Sequence, residues 1–302
     1  MSDLKIGVIG LGFVGRQVAN WFLSQGWRQG QDLFLYDANQ EPDLKDDVQT
    51  AEIVFICVPT PSRKDGRCDS SIVESVVAQF RTSDKIVVIK STVEPGTTDM
   101  LGEKYNVATL FNPEFLTEVN ADLDFVDPDR QIVGFTERSR PYARTVLNIL
   151  PWAKFESPGV ENSSIQITAF EAELAKYFAN MFGASKVSFA NAMNVVAEAI
   201  GADYDHIKRV VTADSRIGGA WTDVKRGGYR GFGGYCFPKD SRALISWINS
   251  LYEERRAKGE DTKLLKAVLD LLYASYAFNE ILLESQGLSI EDVSGHIEKG
   301  GE

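Results

Sequence analysis

The sequence predicts an α/β protein in which an N-terminal doubly wound parallel sheet is followed by an all-helical domain. Residues 1 to about 150 alternate short apolar runs with helical patterns. Runs such as 53–58 and 86–89 are apolar throughout, which is typical of strands buried on both faces of a parallel sheet. We therefore predict strands at 4–10, 32–37, 52–58, 85–90, 107–111 and 131–135, with helices near 13–26, 70–81, 97–104 and 139–149.

The second half of the chain changes to helix almost throughout. A linker is indicated by three residues that disfavour regular structure, Pro151, Pro158 and Gly159. We therefore expect domains at 1–160 and 161–302. Apolar residues recur at helical spacing over 164–200, and further helices are predicted at 203–213, 239–252 and 261–285. The segment 215–237 is rich in glycine and aromatic residues, so we expect an ordered functional loop there.

The composition is that of an ordinary globular protein with enough residues, 302, for two domains. A formal net charge of −11 argues against binding to nucleic acid and to anionic membranes. No apolar run is long enough to span a bilayer, and the first predicted strand begins at Leu4, so we expect neither a membrane segment nor a signal peptide.

Three scattered cysteines do not fit a disulfide framework or a zinc site. Cys57 lies in an apolar strand and is expected in the core, whereas Cys68 lies in a polar loop and is expected to be exposed. We expect no metal and a reducing, cytoplasmic environment.

A glycine turn follows the first predicted strand. Gly10-Leu11-Gly12-Phe13-Val14-Gly15 leads into a helical pattern, and the second strand ends at Asp37. Strand, glycine turn, helix, strand and acidic residue in this order form the dinucleotide fingerprint of a Rossmann-type domain. The helix N-terminus would face the phosphates. Asp37 would bind the ribose hydroxyls and repel a 2′-phosphate, so NAD is expected rather than NADP.

The segment from Gly231 to Asp240 places Cys236 in a glycine-rich turn, just before a helix that we predict to start at Pro238. A helix N-terminus carries partial positive charge, and Lys239 is close in sequence, so this setting favours a reactive thiolate. Taken alone, the turn is equally compatible with a buried structural cysteine.

Other motifs follow the strands at the edge where a doubly wound sheet binds its ligands. Pro59 and Thr60 follow the third strand, Thr92 the fourth, and Asn112-Pro113-Glu114-Phe115-Leu116-Thr117-Glu118 the fifth. In the helical half, Lys176 and Asn180 are four residues apart and therefore share one helix face.

These segments, in this order and together with Gly231 to Asp240, resemble the UDP-glucose/GDP-mannose dehydrogenase family over about residues 4 to 250. The resemblance implies oxidation of a sugar C6 alcohol to a carboxylate with two NAD reduced and no release of the aldehyde. It identifies the thiolate of Cys236 as the nucleophile that captures the aldehyde. The sequence is closest to the UDP-glucose branch, and GDP-mannose is the alternative substrate.

The resemblance also implies roles for the other residues. Lys176 and Asn180 would stabilise the oxyanion, Asp240 and Thr92 would hold a water in proton transfer, and Glu114 would be the base for thioester hydrolysis. Glu118 would contact cofactor or substrate, and Pro59 and Thr60 would lie along the cofactor. Substrate contacts are expected from Phe115, Leu116, Tyr229, Phe232 and Gly233, and from Arg216, which would reach the substrate of a neighbouring subunit in a homodimer.

Two further interpretations remain open. A two-electron β-hydroxyacid dehydrogenase shares the two-domain plan and the lysine–asparagine pair but has no use for Cys236. A catalytically silent, partner-dependent subunit is the interpretation from another class. It arises because family enzymes usually continue into a third α/β domain that helps to bind the nucleotide base, whereas this sequence ends at Glu302.

Overall fold

The computed structural model describes residues 4–39, 44–117, 119–159 and 165–295. It divides the chain into two compact units. The first unit comprises Met1–Pro61 and Cys68–Lys176, and the second comprises Ser62–Arg67 and Tyr177–Glu302. The division therefore falls inside a helix that runs from Ala169 to Ala199, while the domain boundary at residues 160/161 stays a prediction.

A six-stranded sheet organises the first unit. Its strands are β1 (Ile6–Ile9), β2 (Leu33–Tyr36), β3 (Ile53–Ile56), β4 (Ile86–Ile89), β5 (Ala108–Phe111) and β7 (Gly134–Phe135). Their order is β2-β1-β3-β4-β5-β7, with β1 to β5 parallel and β7 antiparallel to β5. The predicted doubly wound sheet is thus confirmed, and the chain reverses direction across the sheet between β1 and β3, where such folds bind ligands.

Helices cover both faces of this sheet: α1 (Phe13–Ser24), α2 (Ser71–Val77), α3 (Thr97–Tyr105), α4 (Ala121–Val126) and α5 (Ala143–Ile149). On one face, Phe22 of α1 and Val146 of α5 pack with strand residues of β1, β2 and β3. On the other face, Val77 of α2 and Leu101 of α3 pack with the alternate strand residues. Burial on both sides explains why the strands are apolar throughout rather than alternating.

The predicted strand 131–135 is wrong, because the structure contains two short strands there. The first, β6 (Arg130–Ile132), pairs in parallel with β8 (Phe155–Ser157), and the second, β7, pairs with β5. The strand β8 lies in the segment that we predicted as linker. Its pairing partner is distant in sequence, and a three-residue strand has no recognisable periodicity of its own.

The second unit is helical, as predicted. It contains most of α6 (Ala169–Ala199), followed by α7 (Tyr204–Thr212), α8 (Cys236–Ala257), α9 (Lys263–Glu284) and the short α10 (Ile290–Val293). The helix α8 begins at Cys236, two residues before the predicted start at Pro238, and Pro238 lies inside its first turn. Proline is tolerated there because the first amides of a helix have no partner within the helix. Among the residues that the structure describes, no helix combines the length and apolar character that a membrane crossing requires.

Candidate active site

The turn between β1 and α1 needs glycine at two positions for packing. Gly10 has a φ of +87°, and a Cβ on it would lie 2.7 Å from the carbonyl oxygen of Cys57. A Cβ on Gly15 would lie 1.8 Å from the carbonyl oxygen of Gly10. Both contacts are backbone contacts that cannot relax, so these two glycines bring the start of α1 onto the sheet.

The remaining glycine of the turn, Gly12, has a different environment. It is exposed at the N-cap of α1, just before Phe13 and Val14, and a Cβ on it would meet no described atom within 4 Å. This open space lies beside the N-terminus of α1, and a helix N-terminus stabilises an anionic group. A pyrophosphate therefore fits this turn.

Asp37, at the end of β2, is tied to the same turn. Its Oδ2 accepts a hydrogen bond from the amide of Leu11 at 2.7 Å, and its Oδ1 accepts one from the amide of Asn39 at 2.9 Å. These bonds fix a half-buried carboxylate beside the glycine turn. This is the position from which an acidic residue binds the ribose hydroxyls of NAD, so the chain's own residues fit the cofactor.

The loops after β3 and β4 are joined by Ser91, whose Oγ donates to the carbonyl oxygen of Val58 at 2.7 Å. Pro59 is exposed, Thr60 is buried and Thr92 is half-buried. The carbonyl oxygen of Thr92 accepts a hydrogen bond from Cys68 Sγ at 3.4 Å. All of them lie at the carboxyl edge of the sheet, as the motif positions predicted.

The expectation that Cys68 is exposed is wrong, since only 6% of it is accessible. Its amide donates to Glu94 Oε1 at 3.0 Å, so the end of the polar loop folds back onto the segment after β4. The polar residues around Cys68 in sequence gave no indication of this non-local contact.

Lys176 and Glu114 form a buried ion pair in the first unit. The Nζ of Lys176 lies 2.8 Å from Glu114 Oε1 and 2.6 Å from the Glu114 carbonyl oxygen. The other carboxylate oxygen accepts the amide of Leu116 at 2.7 Å. Burial alone would raise the pKa of Glu114, but the charge and hydrogen bond of Lys176, with the amide of Leu116, outweigh it and hold that pKa below its usual value. Glu114 is therefore ionised at neutral pH and can accept a proton.

Sequence analysis missed a second buried cation beside this pair. Lys90, at the end of β4, is 4% exposed, and its Nζ donates to Asn112 Oδ1 at 2.6 Å. The Nδ2 of Asn112 donates in turn to Gln131 and to the carbonyl oxygen of Ile132. Burial lowers the pKa of Lys90 to about 8, although Glu114 nearby favours the charged form. The signal in the sequence that could have indicated it is a lysine directly after a buried strand.

The loop after β5 continues through Phe115 and Leu116, both half-buried. The guanidinium of Arg130 lies 3.7 Å from the centre of the Phe115 ring, and Lys176 Nζ lies 5.5 Å from it. These cation–π contacts hold the ring in place. The predicted contact residue Glu118 lies outside the described residues.

In the second unit, Cys236 is the first residue of α8 and is half-buried. One turn further along α8, Asp240 is 1% exposed and accepts hydrogen bonds from Asn180 Nδ2 at 2.6 Å and Lys239 Nζ at 2.5 Å. The buried carboxylate thus receives an amide donor and an ammonium, which is the arrangement that a buried charge requires.

The glycine loop before α8 is packed by its aromatic residues. Phe232 is buried, and its ring centre lies 6.4 Å from that of Phe237 and 5.9 Å from that of Tyr276. The hydroxyl of Tyr229 lies against Gly233, where a Cβ would come within 2.2 Å of it. The predicted substrate residues of this loop are therefore neighbours within the unit.

Arg216 differs from these residues because its side chain is 87% exposed. Its Nη2 lies 2.6 Å from Asp214 Oδ2 in the same loop. Such an exposed pair contributes little stability, so the guanidinium can exchange Asp214 for another anion at small cost.

The structure thus gathers the predicted residues into two groups. In the first unit are the glycine turn, Asp37 and the Lys176–Glu114 pair, and in the second unit are Cys236, the Asn180–Asp240 contact and the glycine loop. Within the part of the chain that the structure describes, no cluster of three histidine, cysteine or acidic residues could hold a metal ion.

The sheet order, the glycine turn and the carboxylate at the end of β2 define a dinucleotide-binding protein of the Rossmann type. Residues 36–149 match the UDP-glucose/GDP-mannose dehydrogenase family, NAD binding domain, and residues 170–271 match the central domain of the same family. The chain belongs to this family, which confirms the predicted resemblance and NAD as the cofactor.

Individual relatives agree with this assignment. The UDP-glucose 6-dehydrogenase of Rickettsia bellii is 36% identical over 74% of this chain and 50% of its own length. That of Pseudomonas aeruginosa is 32% identical over 88% of this chain and 64% of its length. A solved UDP-glucose dehydrogenase from Pyrobaculum islandicum superposes with a TM-score of 0.71 at 30% identity, covering 94% of this chain and 71% of the other. The chain spans about half the length of the first of these relatives.

Proposed function

We propose that this chain oxidises the C6 alcohol of a nucleotide sugar to a carboxylate with NAD, and that the substrate is UDP-glucose and the product UDP-glucuronate. The observation that supports this most directly is the place of Cys236, as the first residue of α8 directly after the glycine loop. A two-electron dehydrogenase needs no cysteine at such a position. The names of the relatives support UDP-glucose as the substrate.

Residues of the first unit would hold the cofactor. The amides of the Gly10 to Gly15 turn would bind the pyrophosphate and Asp37 the ribose, while Pro59, Thr60 and Thr92 would line its path at the carboxyl edge of the sheet. Glu118, which lies outside the described residues, would contact the cofactor. Bound NAD supplies the hydride acceptor for each of two oxidations.

The covalent chemistry would take place on Cys236. Loss of a hydride and a proton from the C6 alcohol gives an aldehyde, to which the Cys236 sulfur adds as a thiohemiacetal. Loss of a second hydride together with the hydroxyl proton of the thiohemiacetal gives a thioester. Water then breaks the carbon–sulfur bond, which releases the carboxylate and regenerates the thiol. The sum is one alcohol, one water and two NAD⁺ consumed, and one carboxylate, two NADH and three protons formed.

The polar residues would stabilise the oxyanion and transfer the protons. Lys176 and Asn180 would donate to the oxyanion that develops on the C6 oxygen. Asp240 and Thr92 would hold a water that takes part in proton transfer. Glu114, kept ionised by Lys176, would remove a proton from the water that attacks the thioester.

Substrate contacts would come from Phe115 and Leu116 in the loop after β5, and from Tyr229, Phe232 and Gly233 in the glycine loop. In a homodimer, Arg216 would reach the substrate bound to the partner subunit, and its exposed side chain is compatible with that role. We propose a cytoplasmic enzyme, in keeping with a chemistry that depends on a reduced thiol.

The test is NADH formation by the purified chain with NAD and either UDP-glucose or GDP-mannose. We expect turnover with UDP-glucose that is lost in Cys236→Ser. The control Cys57→Ala should keep this turnover, because Cys57, directly after β3, has no role in the proposed mechanism. Turnover with GDP-mannose alone would identify GDP-mannose, rather than UDP-glucose, as the substrate. Bound NAD without turnover on either sugar would contradict the proposal and favour a silent subunit.

A further inference from the structure

The glycine loop before Cys236 is held by an amide side chain from α9. Asn279 is fully buried. Its Oδ1 accepts a hydrogen bond from the amide of Phe232 at 2.7 Å, and its Nδ2 donates to the carbonyl oxygen of Phe232 at 3.0 Å. A single side chain therefore satisfies both backbone groups of a residue that is only 2% exposed.

A second amide repeats this arrangement two residues earlier in the loop. Gln286, in the turn after α9, accepts from the amide of Arg230 at 2.8 Å and donates to the carbonyl oxygen of Arg230 at 3.0 Å. The same Nε2 donates to the carbonyl oxygen of Leu282 in the last turn of α9 at 2.8 Å. Gln286 thus connects the loop to the end of that helix.

Together the two amides act as the edge of a neighbouring strand would act. They bond to alternate residues, Arg230 and Phe232, through both the N–H and the C=O of each. Gly231, between them, has a φ of +107°, and a Cβ on it would lie 2.5 Å from Asn279 Oδ1. The glycine is therefore needed for the loop to approach Asn279 this closely.

We propose that Asn279 and Gln286 are positioning residues that fix the register of the glycine loop and thereby the place where Cys236 begins α8. The ring contacts of Phe232 also hold the loop, but apolar packing is non-directional and does not select one register. Four directed hydrogen bonds do select one. The consequence for turnover rests on the proposed function, whereas the positioning of Cys236 does not.

The proposal is tested on the full chain with Asn279→Ala, Gln286→Ala and the control Asn191→Ala. Asn191 is also fully buried, on α6, and its Nδ2 donates to the carbonyl oxygen of Val187 in its own helix. Peptide-resolved mass spectrometry follows amide exchange at residues 230–232 and the rate and pH profile of Cys236 alkylation by iodoacetamide. Neither readout needs NAD or a sugar. A chain without turnover would therefore contradict the proposed function, but the loop exchange and the Cys236 alkylation could still be measured.

We expect Asn279→Ala to increase amide exchange at Phe232 by about tenfold or more and to change both the rate and the pH profile of Cys236 alkylation. Gln286→Ala, at an exposed position that does not endanger folding, should act in the same way on Arg230. Asn191→Ala should leave loop and cysteine unchanged even where its melting temperature falls. Unchanged exchange in both loop variants, or faster exchange with unaltered alkylation, would overturn the proposal.

Discussion

At the scale of the residue, the least expected feature is a buried cation next to the Lys176–Glu114 pair. The acceptors that the structure describes within hydrogen-bond distance of Lys90 Nζ both belong to Asn112, which is neutral. The charged or titratable groups that act on Lys90 are Cys57, Glu114 and Lys176. Burial raises the pKa of Cys57 to about 12, so its thiol stays neutral and one carboxylate faces two ammonium groups. The excess positive charge helps to keep Glu114 ionised.

This buried charge predicts a pH dependence of stability. The pKa of Lys90 is about 8 in the folded chain, below its ordinary value of 10.5, so the unfolded chain binds this proton more tightly. The free energy of unfolding should therefore rise with pH in this range, by about 2 kcal/mol between about pH 7.5 and about pH 10. The gain should be absent in Lys90→Met.

Urea unfolding of the unmodified chain and of Lys90→Met, between about pH 7.5 and about pH 10, measures how the free energy of unfolding of each depends on pH. The surface variant Lys64→Met serves as the control, since Lys64 is exposed and should leave the pH curve of the unmodified chain unchanged. Parallel curves for Lys90→Met and the unmodified chain would show that the charge on Lys90 is not buried in the folded state.

Residues could be predicted from the sequence where their chemistry depends on local order. The glycine turn, Asp37 and Cys236 each lie in a contiguous motif, and the structure places each at the end of a strand or the start of a helix. Lys90, Cys68 and Asn279 were missed or misplaced because their environment is made by contacts distant in sequence. Their roles follow from burial, which a single sequence does not specify.

At the scale of the element, the β1–α1 turn contains one glycine that packing requires and another that leaves room for a ligand. Gly15 is needed because its Cβ would collide with the carbonyl oxygen of Gly10, whereas Gly12 has a φ of −73° and faces open space among the described residues. Glycine-to-alanine substitutions at these two positions should therefore affect different properties, stability at Gly15 and ligand binding at Gly12.

We expect Gly15→Ala to lower the free energy of unfolding by about 1–3 kcal/mol through overpacking. Gly12→Ala should keep its stability within about 0.5 kcal/mol. It should instead weaken NAD binding by about tenfold or more, since a methyl group there blocks the approach of the pyrophosphate. Thermal unfolding and calorimetric titration with NAD measure the two effects. A Gly12→Ala chain that binds NAD normally would show that the cofactor does not approach this turn.

The N-terminus of helix α3 is capped by a side chain from another helix. Its N-cap residue is Gly96, which has no side chain, and the carboxylate of Glu173 from α6 accepts from the amides of Gly96 and Thr98 at 2.6 and 2.8 Å. Burial raises the pKa of Glu173 to about 7 despite these bonds. Periodicity predicted α3 at 97–104 and a helix from 164, but nothing local indicated that one caps the other.

Elements were predictable in proportion to their length and apolar pattern. The five parallel strands and the long helices fall within a few residues of prediction, because burial on both faces or on one helical stripe leaves a clear periodic signal. The strand β8 and the helices α4 and α10 are only three to six residues long and left no such signal.

At the scale of the whole molecule, large apolar side chains remain exposed in the second unit, on its helices and in the turn after α6. Phe189, Ile200, Val210 and Leu264 are each at least 68% exposed in the single chain. Exposed apolar surface of this extent marks an interaction face, and two-fold pairing of identical chains is the commonest way to cover one.

We therefore expect a homodimer at micromolar concentration by light scattering. Phe189→Asp or Leu264→Asp should shift the population to the single chain, because each would place a charge in an apolar interface. Trp152→Asp, at a similarly exposed residue of the first unit, should leave the dimer intact. A monomeric unmodified chain would contradict the dimer and with it the proposed role of Arg216.

The number of NADH molecules formed for each UDP-glucose consumed, measured with the unmodified chain and with Cys236→Ser, decides whether oxidation passes through a thioester on Cys236. Oxidation through a thioester on Cys236 predicts two NADH for each sugar and the loss of this yield in the variant. One NADH for each sugar, or two that persist without the Cys236 thiol, would show that the reaction does not proceed through this thioester.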